Sequence, residues 1–293
     1  MGERMSHLLC FGLGFAAKVL AARRAAAGWS VTATSRSESG AQAIRELGYR
    51  ALVFDGSTAL PGATFDGVSH VVISAPPGED GDPVLRQHRA DFASRARQFS
   101  WVAYLSTTGV YGDHGGGLVT EDTALTPNTG RGHKRLMAEQ QWLDLWRRHG
   151  LPVHLFRLAG IYGPGRNQLL SLRDGTAKRV IKPGQLFSRI HVEDIASVLE
   201  ASMQRPHPGR AYNVCDDEAA PPQDVVAHGA RLLGLPVPPG VPFEAADLSP
   251  MARSFYADSK RVSNQRIKTE LGVELKYPTY REGLQALAAE LRR

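Results

Sequence analysis

Gly12, Leu13, Gly14, Phe15, Ala16 and Ala17 form a run in which the small residues are spaced for one chemical task, gripping an anion with backbone N–H groups. In such a run the first glycine makes a tight turn, the second leaves room for a pyrophosphate, and a small sixth residue lets a helix close on a strand. The run therefore points to a dinucleotide, with Gly12, Leu13, Gly14, Phe15 and Ala17 as its contacts; the alternative is a merely structural turn. About twenty positions on, where a carboxylate would hold the ribose hydroxyls of NAD, the chain reads Thr34-Ser35-Arg36-Ser37. A guanidinium flanked by hydroxyls suits a 2′-phosphate instead. Ser35 and Arg36 thus favour NADP(H), with NAD possible, against a reading of Arg36 as a solvated surface residue. Asp55 either accepts from the adenine amino group or caps a turn. Ser74 and Ala75, ahead of Pro76-Pro77, have side chains short enough for backbone to run past a nicotinamide ribose, although a proline pair also ends a strand.

Strands and helices must alternate to place these loops together. HLLCF (7–11), SVTATS (30–35), YRALVF (49–54), SHVVISA (69–75), WVAYLS (101–106) and PVHLFRL (152–158) have strand composition. Between them, AAKVLAARRAAAG, GAQAIRELG, the stretch 84–99 and HKRLMAEQQWLDLWRRHG (133–150) have helical periodicity. The pattern predicts an α/β fold, a Rossmann-type doubly wound parallel sheet covered on both faces. Beyond Leu158 prolines become frequent and helical patterns recur at 193–204, 222–234, 259–271 and 280–292. The expected division is a nucleotide-binding domain over 1–160 and a smaller, mixed substrate lobe over 161–293, with segments near 187–216, AYNVCD among them, returning to the main sheet.

The totals narrow the function classes. A chain of 293 residues with 42% hydrophobic residues buries a large core. Its net charge of +6 is scattered, the densest runs being Arg147-Arg148-His149 and Arg292-Arg293, so no stripe marks a nucleic-acid surface. The two cysteines, Cys10 and Cys215, lie in apolar runs and fit a reducing compartment. The stretch Leu8 to Ala17 is preceded by Glu3, broken by glycines, and too short for a bilayer. We expect a cytoplasmic protein with a small-molecule substrate, no nucleic-acid or membrane partner, no metal, and a homodimer as one possible assembly.

Four segments occur in a telling order: YLSTTGVYG (104–112), RLAGIYGPG (157–165), FSRIHVEDIA (187–196) and YNVCDDE (212–218). They resemble, along nearly the whole chain, the extended short-chain dehydrogenase/reductase family and its NAD-dependent epimerase/dehydratase branch. The resemblance implies that Thr107 stands at the catalytic serine/threonine position, where a hydroxyl bonds the reacting substrate oxygen; the alternative, a strand-end hydroxyl satisfying backbone groups, stays open for Thr107 and is the simpler reading of Ser106 and Thr108. It places Tyr162 and Pro164 beside the nicotinamide. It also demands a Tyr-x-x-x-Lys pair, which this chain lacks. With Glu139 setting the register, Arg131 falls at the tyrosine and Arg135 at the lysine; with Lys134 as the lysine, Gly130 falls at the tyrosine.

Arginine keeps its proton at working pH, so it binds anions but is a poor acid or base. Arg135 preserves the positive field, and Arg131, four residues earlier on the same helix face, suits a substrate carboxylate or phosphate. The alternative, a solvated basic helix start, runs against the helix dipole. Tyr111, Tyr162 and His133 are substitute proton carriers, each with a structural alternative; His191 reads as a hydrogen-bonded turn histidine and His114 as part of a flexible loop. The expected function is an NADP(H)-dependent oxidoreductase or epimerase/dehydratase-like enzyme with an atypical site, acting on a small, anionic or sugar-nucleotide substrate. Its rival is a non-catalytic NADP(H)-binding redox sensor.

Overall fold

A strand covered on both faces is apolar throughout, and β1 (His7–Phe11) shows it, with Leu8 to Phe11 fully buried. The computed structural model describes residues 6–292; Glu3 and Arg293, weighed above, lie outside the described residues. Next come α1 (Phe15–Ala26), β2 (Ser30–Ser35), α2 (Glu38–Glu46), β3 (Arg50–Val53), β4 (His70–Ile73), α3 (Pro83–Ser94) and β5 (Trp101–Thr107). The middle of the chain gives β6 (Leu118–Val119), α4 (Gly130–His149), β7 (Val153–Leu158), β8 (Gly160–Tyr162), α5 (Gln168–Arg173), β9 (Arg179–Ile181) and β10 (Arg189–His191). The last elements are α6 (Val192–Gln204), β11 (Ala211–Val214), α7 (Pro222–Leu233), β12 (Gly240–Pro242), α8 (Pro250–Phe255), β13 (Arg261–Val262), α9 (Gln265–Leu271) and α10 (Tyr280–Glu290).

Seven strands form one parallel sheet in the order β11-β7-β5-β4-β1-β2-β3. β1 pairs on one side with β2, Leu8 opposite Val31, and on the other with β4, Leu8 opposite His70. The chain therefore builds outward from β1 and then crosses back to β4. This reversal is the switch point beside which doubly wound sheets bind ligands, at the carboxyl ends of their strands. Ala211–Val214 is the edge strand beyond β7.

Two compact units divide the chain: one up to Thr107 with His133–Arg157 and Val198–Tyr212, the other of Thr108–Gly132, Leu158–Ser197 and Asn213 onward. The core of the first holds Phe11, Phe65, Phe92, Tyr104, Trp142 and Leu155. Its rings meet edge to face, Phe92 against Phe65 at 5.5 Å and against Trp142 at 5.1 Å, a geometry that adds to area burial. The core of the second holds Tyr162, Leu169, Val225, Tyr280, Leu284 and Leu287. It carries three two-stranded parallel pairs: β8 with β10, β9 with β12, and β6 with β13.

Two elements differ from the sequence reading. The helix expected over 84–99 ends at Ser94 and gives way to a 3-10 turn at Ala96–Gln98. Its start is fixed by Asp82, whose Oδ1 accepts from Val84 N at 2.8 Å and Leu85 N at 3.0 Å, with Pro83 in the first turn. The helix expected over 259–271 begins only at Gln265. Before it, β-branched Val262 pairs with Val119, and Ser263 N donates to Val119 O at 2.9 Å, so tertiary pairing overrides local propensity.

Candidate active site

The turn from β1 into α1 is made of backbone. Gly12 has φ +84°, and a Cβ there would lie 2.9 Å from Ser74 Oγ, so the position takes glycine on both counts. Ser74 Oγ donates to Gly12 O at 2.8 Å, Gly12 N donates to Thr34 Oγ1 at 2.9 Å, and Ala75 N donates to Phe11 O at 3.0 Å. The ends of β1, β2 and β4 are thereby laced together around the turn, bringing Ser74 and Ala75 to Gly12. Helix α1 opens at Gly14 with no side-chain cap and no acidic residue in its first turn. No carboxylate in that first turn offsets the partial positive charge of the N-terminus, so the turn fits a pyrophosphate.

Ser35 ends β2, and Phe54 N donates to its carbonyl at 2.7 Å. Arg36 follows, exposed, with no described carboxylate paired to it. Ser37 caps α2 by accepting from Gly40 N at 3.2 Å. Asp55 Oδ1 accepts from Ser57 N at 2.8 Å and Ser57 Oγ at 2.7 Å, bonds that hold its carboxyl below the usual range. Asp55 therefore caps a turn, leaving Oδ2 for any adenine contact.

At the end of β5 the half-buried Thr107 is the last strand residue, and Thr108–Tyr111 winds into a 3-10 turn. Ser106 points inward: its Oγ donates to Glu139 Oε1 at 2.5 Å. Glu139 is 1% exposed and receives Arg157, itself 5% exposed, at 2.8 Å from Nη2 and 3.2 Å from Nε. Buried charges survive when paired and hydrogen-bonded, and this trio meets both conditions while fastening α4 to β5 and β7. Arg135 is half-buried and donates from Nη1 to Leu105 O at 2.6 Å and Tyr104 Oη at 3.2 Å. Its charge is thus held at the β5 backbone. Lys134 pairs with Glu79.

In the second unit Arg131 is exposed. It donates from Nη2 to Ser254 Oγ at 2.9 Å, and its guanidinium carbon lies 4.6 Å from the centre of the Phe255 ring. Tyr111 is fully buried and donates to Asn213 Oδ1 at 2.7 Å, a structural role. Tyr162 turns its ring into the lobe core beside His191, 5.2 Å between centres, where burial above all, then Asp216 and Asp194, push its phenol up. Pro164 is exposed in a turn closed by Gly163 N donating to Arg166 O at 2.9 Å. His191 accepts from Glu193 N at 3.2 Å, and burial pushes it down to about 4, so it is neutral at neutral pH. His133 is exposed on α4.

The segment around His114 is fastened by hydrogen bonds. His114 N and Gly116 N both donate to Ser259 O, at 3.1 and 2.9 Å, Asp113 Oδ1 accepts from Ser259 N at 2.7 Å, and buried Lys260 donates to Gly112 O at 2.8 Å. Gly112 itself has φ +73°, and a Cβ there would lie 2.0 Å from Thr126 O.

Sequence reasoning missed Glu139 as a buried partner, Arg157 and Lys260. The signal for the first two was present: a charged residue inside the apolar strand run FRL requires a counter-charge, and Glu139, used only to set a register, supplies it. Lys260 carried no such signal, because a helix was expected there. Among the described residues no cluster of His, Cys, Asp and Glu could hold a metal, and no helix is long and apolar enough to cross a membrane.

A model of the NAD dependent epimerase/dehydratase family matches residues 90–215. Protein YeeZ of Escherichia coli K12 is 30% identical over 289 residues, covering 94% of this chain and 97% of that protein. A solved structure described as a functionally unknown conserved protein from Silicibacter pomeroyi DSS is 55% identical, with a TM-score of 0.91 over 99% of this chain and 100% of that one. The dTDP-glucose 4,6-dehydratase of Bacillus anthracis str. Ames, solved with NAD, has the same fold, with a TM-score of 0.78 over 98% of this chain and 96% of that one at 19% identity.

Proposed function

Since the chain belongs to the NAD dependent epimerase/dehydratase family, we propose that it is a cytoplasmic NADP(H)-dependent oxidoreductase or epimerase/dehydratase-like enzyme acting on a small anionic substrate, a sugar nucleotide included. The observation that carries this reading is the β1–α1 turn: glycine-hinged, with no side-chain cap and no acidic residue in the first turn of α1, and with Arg36 and no carboxylate at the end of β2. Gly12 to Ala17 would hold the pyrophosphate, Arg36 and Ser35 the 2′-phosphate, and Ser74 and Ala75 the backbone path beside the nicotinamide ribose. A bound nicotinamide supplies the hydride chemistry. Thr107 would orient the substrate oxygen, and Arg131 would bind the substrate's anionic group.

Proton transfer is where the site departs from its family. Tyr111 and Tyr162 are buried side chains, and the arginines are poor proton donors, which leaves water at Thr107 or exposed His133 as the proton carrier in this reading. Arg135, held at Leu105 O two residues before Thr107, would preserve the positive field there. The absence of a phenol favours a second reading, a non-catalytic NADP(H) sensor.

Calorimetric titration with NADPH, NADP+ and NADH is the first test. Micromolar binding of the NADP pair with weaker NADH is expected; no heat at millimolar nucleotide would overturn both readings. Turnover against a panel of sugar nucleotides and small carbonyl acids then separates enzyme from sensor, since a sensor discriminates oxidised from reduced cofactor but consumes neither.

A further inference from the structure

Residues 243–258 connect two anchored strands, β12 paired to β9 and β13 paired to β6. Between those anchors the apolar hold is confined to buried Ala246 and to Tyr256, whose ring meets Phe187 and Phe243 at 5.3 and 5.0 Å. Helix α8 buries none of its residues, and Met251 and Phe255 are 64% and 54% exposed. Its fastenings are mostly polar: the side-chain amides of Gln185 and Asn128 donate to Asp258 O and Ala257 O, and several cations hold the rest. Arg253 donates to Ala246 O at 2.9 Å and lies over Phe243 at 4.7 Å, Lys182 donates to Tyr256 O at 2.5 Å, and Lys178 pairs with Asp247 at 3.0 Å. Exposed polar and cation–π bonds of this kind are individually weak, and a segment held by them lies at the low end of local stability.

One fastening differs from the rest, because it uses the residue assigned above to the substrate. Arg131 reaches Ser254 Oγ through Nη2, and Phe255 covers one face of the guanidinium. Ser254 Oγ is oriented for this by donating to Met251 O at 2.7 Å. Each bidentate fork of a guanidinium uses one of the two Nη2 N–H groups, and Ser254 holds one of them, so a carboxylate approaching on that side contests the donor that Ser254 holds.

We infer that residues 243–258 form a strap latched on Arg131, and that Ser254 and Phe255 determine specificity by admitting only anions able to displace them. This rests on the anion-binding role proposed for Arg131, and on nothing in the redox chemistry. Reciprocity fixes the sign: if an anion releases the strap, loosening the strap must tighten the anion.

The test is hydrogen exchange and calorimetry on the full chain with benzoate as probe. Arg131→Ala should raise exchange in peptides within 246–258 about tenfold, leaving β1 and β5 peptides unchanged. Benzoate should do the same to the wild type and nothing to Arg131→Ala, and Ser254→Ala should bind benzoate about three- to tenfold more tightly. Unchanged exchange in Arg131→Ala overturns the latch. Equal or weaker benzoate binding by Ser254→Ala overturns the gate, because the strap is then part of the binding surface. A strap loosened in Arg131→Ala with benzoate binding undiminished overturns the anion role of Arg131 and the gate with it, whatever NADPH titration shows.

Discussion

The first turns of α1 and α4 handle charge in opposite ways. At α1 the chain omits the capping side chain and the first-turn carboxylate, so the helix offers its own N–H groups and its dipole to whatever binds. At α4 it crowds three cations, Arg131, Lys134 and Arg135, into the positive end of a helix, where each is unfavourable unless something compensates it. The structure shows the compensation to be different in each case: a carboxylate for Lys134, a strand backbone for Arg135, and a hydroxyl and an aromatic face for Arg131. A site made by absence depends on backbone and glycine; a site made by charge depends on which charges are already engaged.

The largest effect expected at the α4 side comes from Glu139, which carries the helix's link to β5 and β7. Glu139→Ala strands buried Arg157 and should destabilise the protein by about 3–5 kcal/mol in denaturant unfolding, with Glu139→Gln losing less. A loss below about 1 kcal/mol would show that Arg157 finds water and that the trio is not a fastening. On the α1 side, Gly12→Ala places a Cβ at φ +84° and against Ser74, so NADPH affinity should fall on the order of a hundredfold by calorimetry. Retained affinity would mean that the turn is structural only.

The difference between the two helix starts also explains what the sequence disclosed. The α1 turn was legible because its constraints are those of a peptide backbone, and glycine spacing reports them directly. The parallel sheet covered on both faces was legible because buried parallel strands are apolar throughout, whereas the order of its strands is set by their pairing. The α4 start was legible only in composition. Nothing in GRGHKRLMAE says that Arg135 bends to Leu105 O while Arg131 reaches Ser254, more than a hundred residues on, since those partners are set by tertiary contact. The strand at Arg261–Val262 was hidden for the same reason: its partner is Leu118–Val119.

Buried carboxyls sharpen the contrast in a second way. Glu139 has a guanidinium against it, whereas Asp216, 2% exposed, is pushed up to about 8 by burial, with Arg189 only partly opposing. In the unfolded chain an aspartate ionises near 3.9, so between that pH and about 8 the folded state holds the extra proton and stability falls as pH rises. Buried His191, with its folded value lowered to about 4, acts in the opposite direction only below about 6.5. Asp216→Asn should therefore flatten the fall between about pH 6.5 and 8, worth up to about 1.4 kcal/mol per pH unit. An unaltered slope would place the proton elsewhere.

A smaller effect tests Arg135. If its charge serves β5, Arg135→Ala should cost about 1–2 kcal/mol of stability, by leaving Leu105 O without its donor, and should leave the NADPH dissociation constant within a factor of two. The opposite outcome, unchanged stability with lost nucleotide binding or turnover, would move Arg135 from the strand to the site.

The smallest change expected concerns cofactor choice. Arg36 is exposed at the end of β2, so its removal should leave folding unaltered, and any effect must be read in binding. One charge-assisted contact to a mobile, solvated 2′-phosphate is worth about 1.4 kcal/mol, or about tenfold, and its strength should fall as salt rises. Arg36→Ala should thus weaken NADPH about tenfold at low ionic strength while NADH stays within a factor of two, and Arg36→Asp should invert the preference by repelling the phosphate and accepting from the ribose hydroxyls. Equal losses for both nucleotides would locate Arg36 at the shared pyrophosphate, and no loss for either would return it to the solvent-facing role that its exposure permits. Only a selective loss makes the α1 turn and Arg36 one device, in which backbone grips the common part of the cofactor and a single guanidinium distinguishes its extra charge.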